Sequence, residues 1–152
     1  MAVDVLTEIV IDCPREQVAE YAGDPSNAPD WYENIRSIDW KTDPPVRLGS
    51  RMAFVARFLG RRLAYTYEVV ELVPGERLVM RTEQGPFPME TTYTWETVGA
   101  GATRMTLRNR GQPRGFARVS GPIMAAAVRR ETNRNLRDLK ALLEKRRPAA
   151  PT

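Results

Sequence analysis

The chain contains no histidine. Of everything it lacks, this excludes the most chemistry: Ser-His and Cys-His dyads, histidine general bases and nearly every ordinary zinc or iron site. A cation site built from carboxylates alone would need clustered acids, and the 19 Asp and Glu residues are dispersed. Neither a metal nor a cofactor is expected. There is one cysteine, Cys13, which cannot form an intrachain disulfide and fits a reducing compartment. It ends a strand-like run with nothing to activate it, so it reads as a small filler rather than a nucleophile. No apolar run approaches the ~18–20 residues that a membrane span needs. The opening residues MAVDVLTEIVIDCP carry acids where a signal peptide would carry bases, which points to the cytoplasm.

A strong charge of one sign is also missing. The net charge is +4, and the arginines (Arg51, Arg57, Arg61, Arg62, Arg77, Arg81, Arg104, Arg108) mostly alternate with acidic or apolar neighbours. No groove is laid out for phosphates, and nucleic acid is not an expected partner. The densest basic stretch, Lys145-Arg146-Arg147, opens a Pro/Ala tail over 146–152 that reads as a frayed terminus.

What is present is strand after strand. The 152 residues fit one domain, long enough to bury a core and to leave a cavity in it. Residues 3–11 alternate as a strand. Pro14 then opens a short amphipathic helix over 15–22, stopped by Gly23-Asp24-Pro25, and a second short helix is expected from about Asn27 to Asn34, carrying Trp31 and Tyr32.

From 35 to 110 the turns set a paper register. A two-residue hairpin in Leu59-Gly60-Arg61-Arg62 pairs Phe58 with Leu63, Ala56 with Tyr65, Phe54 with Tyr67 and Met52 with Val69. A type II turn at Val73-Pro74-Gly75-Glu76 puts Val69 opposite Met80, Tyr67 opposite Thr82 and Glu68 opposite Arg81. A loop centred on Gly99–Gly101 pairs Trp95 with Met105, Tyr93 with Leu107, Glu96 with Arg104 and Glu90 with Arg110. Each turn leaves one face apolar and aromatic and the other laced with opposite charges.

After Gln112-Pro113 the pattern changes. Gly121-Pro122 separates a lead-in (115–120) from a helix of about 24 residues, roughly 36 Å long. Its stripe runs Met124, Val128, Thr132, Leu136, Leu139 and Leu143, polar at the middle where Glu131, Thr132 and Asn135 fall.

TEIVIDCPREQVAEYAGDPSNAPDWYENI, GSRMAFVARFLGRRLAYTYEVVELVPGERLVMRT, GPFPMETTYTWE and GATRMTLRNRGQPRGF together resemble the polyketide cyclase/dehydrase and lipid-transport group of the START-like (SRPBCC) superfamily, over about residues 3–145. The resemblance implies an α+β helix-grip fold: a curved antiparallel sheet of about seven strands around a long C-terminal helix, with two short helices after the first strand. One such domain would span 1–145, with the tail at 146–152. It also implies a deep pocket between sheet and helix, entered near the short helices.

The paper register supplies the lining independently. Met52, Phe54, Phe58, Tyr65 and Tyr67 come from one hairpin, and Met80, Thr82, Tyr93, Trp95 and Leu107 from the strands beyond it. Met124, Val128 and Thr132 form the helix wall, with Trp31 near the mouth. Leu63, Val69, Leu78 and Met105 read as core filling. The tyrosine hydroxyls differ, because a dry core is cheaper with phenylalanine and a buried O–H needs a partner. At least two of the polar tips of Tyr65, Tyr67, Tyr93, Trp95 and Thr82 are expected to face a cavity.

Three functions compete. The first is binding or carriage of a small hydrophobic molecule, polyketide-like, aromatic or lipid. The second is a cyclase/aromatase-like enzyme with tyrosine donors and Glu131 as a base, in which shaping of the substrate supplies most of the catalysis. Glu131 read by itself is a solvated or salt-bridged residue, and no catalytic residue is assigned. The third is a co-chaperone-like interaction module, which would have a collapsed cavity and an exposed apolar patch. The loop Gly85–Met89 could gate the pocket, although turn chemistry alone explains its composition. An edge strand or the short-helix face could support a homodimer.

Overall fold

A computed structural model describes residues 3–112 and 121–146. The elements run β1 (Val3–Ile11), α1 (Arg15–Ala22), a 3-10 turn (Pro25–Asn27), α2 (Ala28–Trp31), β2 (Ile35–Trp40), β3 (Arg51–Phe58), β4 (Arg61–Val73), β5 (Arg77–Gln84), β6 (Met89–Val98), β7 (Ala102–Gly111) and α3 (Gly121–Arg146). The seven strands form one sheet in the order β1-β7-β6-β5-β4-β3-β2, antiparallel throughout. This is the helix-grip arrangement expected. The second short helix is briefer than its pattern suggests: a 3-10 turn started by Asp24, which accepts from the Ser26 amide (2.9 Å), delays its start to Ala28, and Tyr32 ends it by turning extended (φ −89°, ψ 111°). α3 reaches Arg146, one residue into the expected tail. The lead-in (115–120) and residues 147–152 lie outside the described residues.

β1 and β2 are the edges of the sheet. An open edge is a template for unwanted pairing, and α3 covers β1. Arg129 donates to the Leu6 carbonyl (3.2 Å), Lys140 to the Val10 carbonyl (2.9 Å), and the Asp12 amide to Glu144 (2.8 Å). Leu136, Leu139 and Leu143 are buried beneath the helix among Ile11, Met105 and Leu107. Cys13 is buried too, its Sγ 3.4 Å from Gln17 Oε1.

The β6–β7 register is the one expected, residue for residue. The β4–β5 pairs Tyr67–Thr82, Glu68–Arg81 and Val69–Met80 also stand, although Val73 pairs with Arg77. The turn therefore holds three residues, with Gly75 at φ +76° and the Glu76 amide bonded to the Val73 carbonyl (2.9 Å). A bulge between Val69 and Glu71 absorbs the extra residue.

The β3–β4 register corrects the expectation. Phe58 pairs with Arg61, Ala56 with Leu63, Phe54 with Tyr65 and Met52 with Tyr67. The loop is Leu59-Gly60, both at positive φ (50° and 78°), as a type I′ hairpin demands. The slip is two residues, one full side-chain period, so every side chain keeps its face.

Ion pairs lace the outer face. Arg108 grips Asp4 with two bonds (2.8 and 2.6 Å), holding that carboxyl below its ordinary value. Glu96 meets Arg104 at 3.5 Å and Glu90 meets Arg110 at 3.8 Å, whereas Arg81 binds Glu90 (2.9 Å) rather than Glu68. No helix among the described residues is long and apolar enough to cross a membrane.

Candidate functional site: an internal cavity

Between the concave sheet face and α3 lies a cavity of about 170 Å³, far beyond the ~10–15 Å³ that one water needs. Nine of the fourteen residues expected to line it do so: Phe54, Phe58, Tyr65, Tyr67, Met80, Tyr93, Met124, Val128 and Thr132. They converge because alternate residues of β3–β6 share the concave face while Met124, Val128 and Thr132 recur every fourth residue along α3. Leu63 and Leu78, expected to be core filling, border the cavity as well.

Five expected residues lie elsewhere. Met52 and Leu107 are fully buried within the core. Thr82 has the right parity, but its hydroxyl is consumed by Met89, donating to the carbonyl (2.7 Å) and accepting from the amide (2.6 Å) just past the last β5–β6 pair. Trp31 is buried behind the wall, its ring 4.2 Å from that of Tyr32 and 5.8 Å from that of Tyr93. Trp95 instead borders an outer groove with Trp40, Pro45 and Leu72.

Several lining residues escaped the sequence reading. Tyr32 takes the place expected for Trp31. Thr91 and Asn109 sit two residues from Tyr93 and Leu107 on the same strand faces, so strict alternation would have found them. Phe87, in the Gly85–Met89 loop, is buried and lines the cavity with Met89. Asn34, Glu131 and Asn135 add polar atoms.

The hydrogen bonds divide the phenols. Thr91 gives its single proton to Asn109 Oδ1 (2.8 Å), so in the 2.8 Å contact between Tyr67 and Thr91 the tyrosine is the donor. Tyr32 and Tyr93 lie 2.6 Å apart, one donating and the other keeping its proton. Tyr65 is packed between Phe54 (5.6 Å) and Tyr67 (5.0 Å), and its hydroxyl has no hydrogen bond among the described residues. Burial opposes ionisation of all four: Tyr67 is pushed up to about 12, and Tyr32, Tyr65 and Tyr93 well above the ordinary phenol value. The deep lining is therefore neutral across the physiological range. The charged lining groups are the exposed Arg110 and the half-buried Glu131.

A mainly apolar cavity with a few oriented hydroxyls, gripped between a curled sheet and a long helix, defines a class of small-molecule-binding architecture. The chain belongs to the family described as polyketide cyclase/dehydrase and lipid transport, whose model matches residues 2–144. Its fold is shared by a START superfamily protein from Mycobacterium smegmatis (14% identity, TM-score 0.81, covering 95% of this chain and 99% of that one). The Zhui aromatase/cyclase from Streptomyces sp. R1128 is similar at 16% identity and TM-score 0.79, with 100% of both chains covered. The major latex-like protein 151 of Panax ginseng is similar at 15% identity and TM-score 0.74, with 93% of this chain and 97% of that one covered. No sequence among the curated proteins matches significantly.

Proposed function

We propose that the protein binds and carries a small hydrophobic molecule in this cavity, with Phe54, Phe58, Met80, Met124 and Val128 supplying apolar contact and Tyr65 and Tyr93 orienting its polar atoms. The observation that supports this most is the cavity itself. Packed cores leave few voids larger than a water, whereas here the sheet and α3 stop short of one another around mainly apolar walls. Burying a ligand there would gain about 25 cal/mol per Å² of apolar surface. An open cavity also weighs against an interaction module with a collapsed interior.

A second reading has its own support. Glu131 is the one carboxylate among the described residues that borders the cavity, where it can accept a proton from a bound molecule, and the phenols lining the same cavity stay protonated and can donate to a developing enolate. This reading is a cyclase-type enzyme. Native mass spectrometry of the protein purified from its own cells, followed by solvent extraction of whatever it holds, tests the carrier. A stoichiometric apolar compound is expected. Recovery of a ring-closed product from an added open-chain precursor, lost in Glu131→Gln while binding persists, would replace carriage with catalysis.

A further inference from the structure

Hydrogen-bond arithmetic within the same cavity narrows the ligand class, on the footing that the cavity binds a small molecule as proposed. We infer that the cavity selects uncharged, oxygen-bearing ligands over their carboxylates, with Tyr65 as the donor that meets the ligand oxygen. Two phenolic protons are uncommitted: that of Tyr65, and one of the pair shared by Tyr32 and Tyr93. Tyr67 has spent its proton on Thr91, and Thr132 donates back to the carbonyls of its own helix. Against these stands one unmet buried acceptor of the lining among the described residues, Asn34 Oδ1, so the two phenolic protons still leave a surplus of neutral donors, which an acceptor oxygen satisfies.

A carboxylate would also accept, but taking an anion out of water is far more costly than taking a ketone, and only a cation or several donors offset it. No cation faces the deep cavity among the described residues. Arg110, an exposed lining residue, already stands between Asp4 (3.9 Å) and Glu90 (3.8 Å), and Glu131 borders the same space. An anionic head lying beside Arg110 would meet as much negative charge as positive.

Calorimetric titrations at neutral pH with naphthalene, tetralone and naphthoate test the inference, because the three share a bicyclic body and differ in the oxygen. Naphthalene and tetralone are expected to bind, with naphthoate weaker than tetralone by roughly thirtyfold or more. Tyr65→Phe should weaken tetralone about three- to tenfold and leave naphthalene unchanged. The carbonyl stretch of bound tetralone should lie lower in frequency in the wild type than in Tyr65→Phe, and Tyr21→Phe, outside the cavity, should match the wild type. Naphthoate binding as tightly as tetralone would overturn the selection against charge. An unchanged tetralone affinity and carbonyl frequency in Tyr65→Phe would overturn the role of Tyr65. If none of the three bound, the ligand-binding reading itself would fall, and this inference with it.

Discussion

At the scale of single residues, what separates one buried tyrosine from another is where its proton goes. Tyr67 holds up a relay to Thr91 and Asn109, and removing its hydroxyl strands the Thr91 acceptor. Tyr67→Phe should therefore cost about 1–2 kcal/mol in urea unfolding. Tyr65→Phe removes a hydroxyl with no hydrogen bond among the described residues, so its stability should stay within about 0.5 kcal/mol of wild type. Equal losses would contradict this division. The sign of the pH dependence comes from the same burial. A phenol whose pKa is raised by folding favours the fold fully below the unfolded value near 10, and that contribution drains away as pH climbs through the folded value. For Tyr67 the window is about pH 10 to about 12. In an alkaline titration followed by phenolate absorbance, four of the five tyrosines should stay protonated near pH 10 and ionise together with unfolding. Five independent phenols titrating near pH 10 in the folded protein would refute the buried arrangement.

At the scale of elements, turns decide what a sequence reader can recover. The loop at Gly99–Gly101 is bracketed by unambiguous partners and its hairpin is legible pair by pair. The β3–β4 hairpin was displaced because Gly60 alone signals a two-residue loop without saying which neighbour shares it. The residue that does is Leu59, a poor candidate for positive φ, yet it sits at +50°. The displacement is one full period, so the same side chains face the cavity in either register. A bulky residue held there is strained, and Leu59→Asn, at home in a type I′ turn, should gain about 1 kcal/mol. That corresponds to a rise of roughly 2–4 °C in melting temperature for a chain of this length. A fall would mean that the Leu59 side chain contributes packing that its 49% exposure does not suggest. At the β1 edge, Arg129 and Lys140 act as clamps that their sequence pattern alone marks only as a solvated helix face.

At the scale of the whole molecule, alternation tells which face a residue occupies but not how far along the strand the sheet and α3 part company. Phe54 and Met52 share a face, yet Phe54 borders the cavity and Met52 is sealed in the core. Sequence cannot reveal that boundary, because it depends on where α3 crosses the curled sheet. Thr82 was lost from the site for a different reason, a local bond to Met89 that competes with its facing inward. Tyr32 and Asn135 join the lining because the end of α2 meets the polar middle of α3, where the Glu33 amide donates to Asn135 Oδ1 at 3.4 Å.

The methionines report on both sides of that partition between chamber and core. Met80, Met89 and Met124 line the cavity, whereas Met52 and Met105 are buried away from it. The decisive measurement is a methyl NMR titration of the methionine-labelled protein with tetralone. The structure predicts saturable shifts at Met80, Met89 and Met124 with a common midpoint, and little movement at Met52 and Met105. No saturable shift at the first three, or a response confined to the other two, would contradict it.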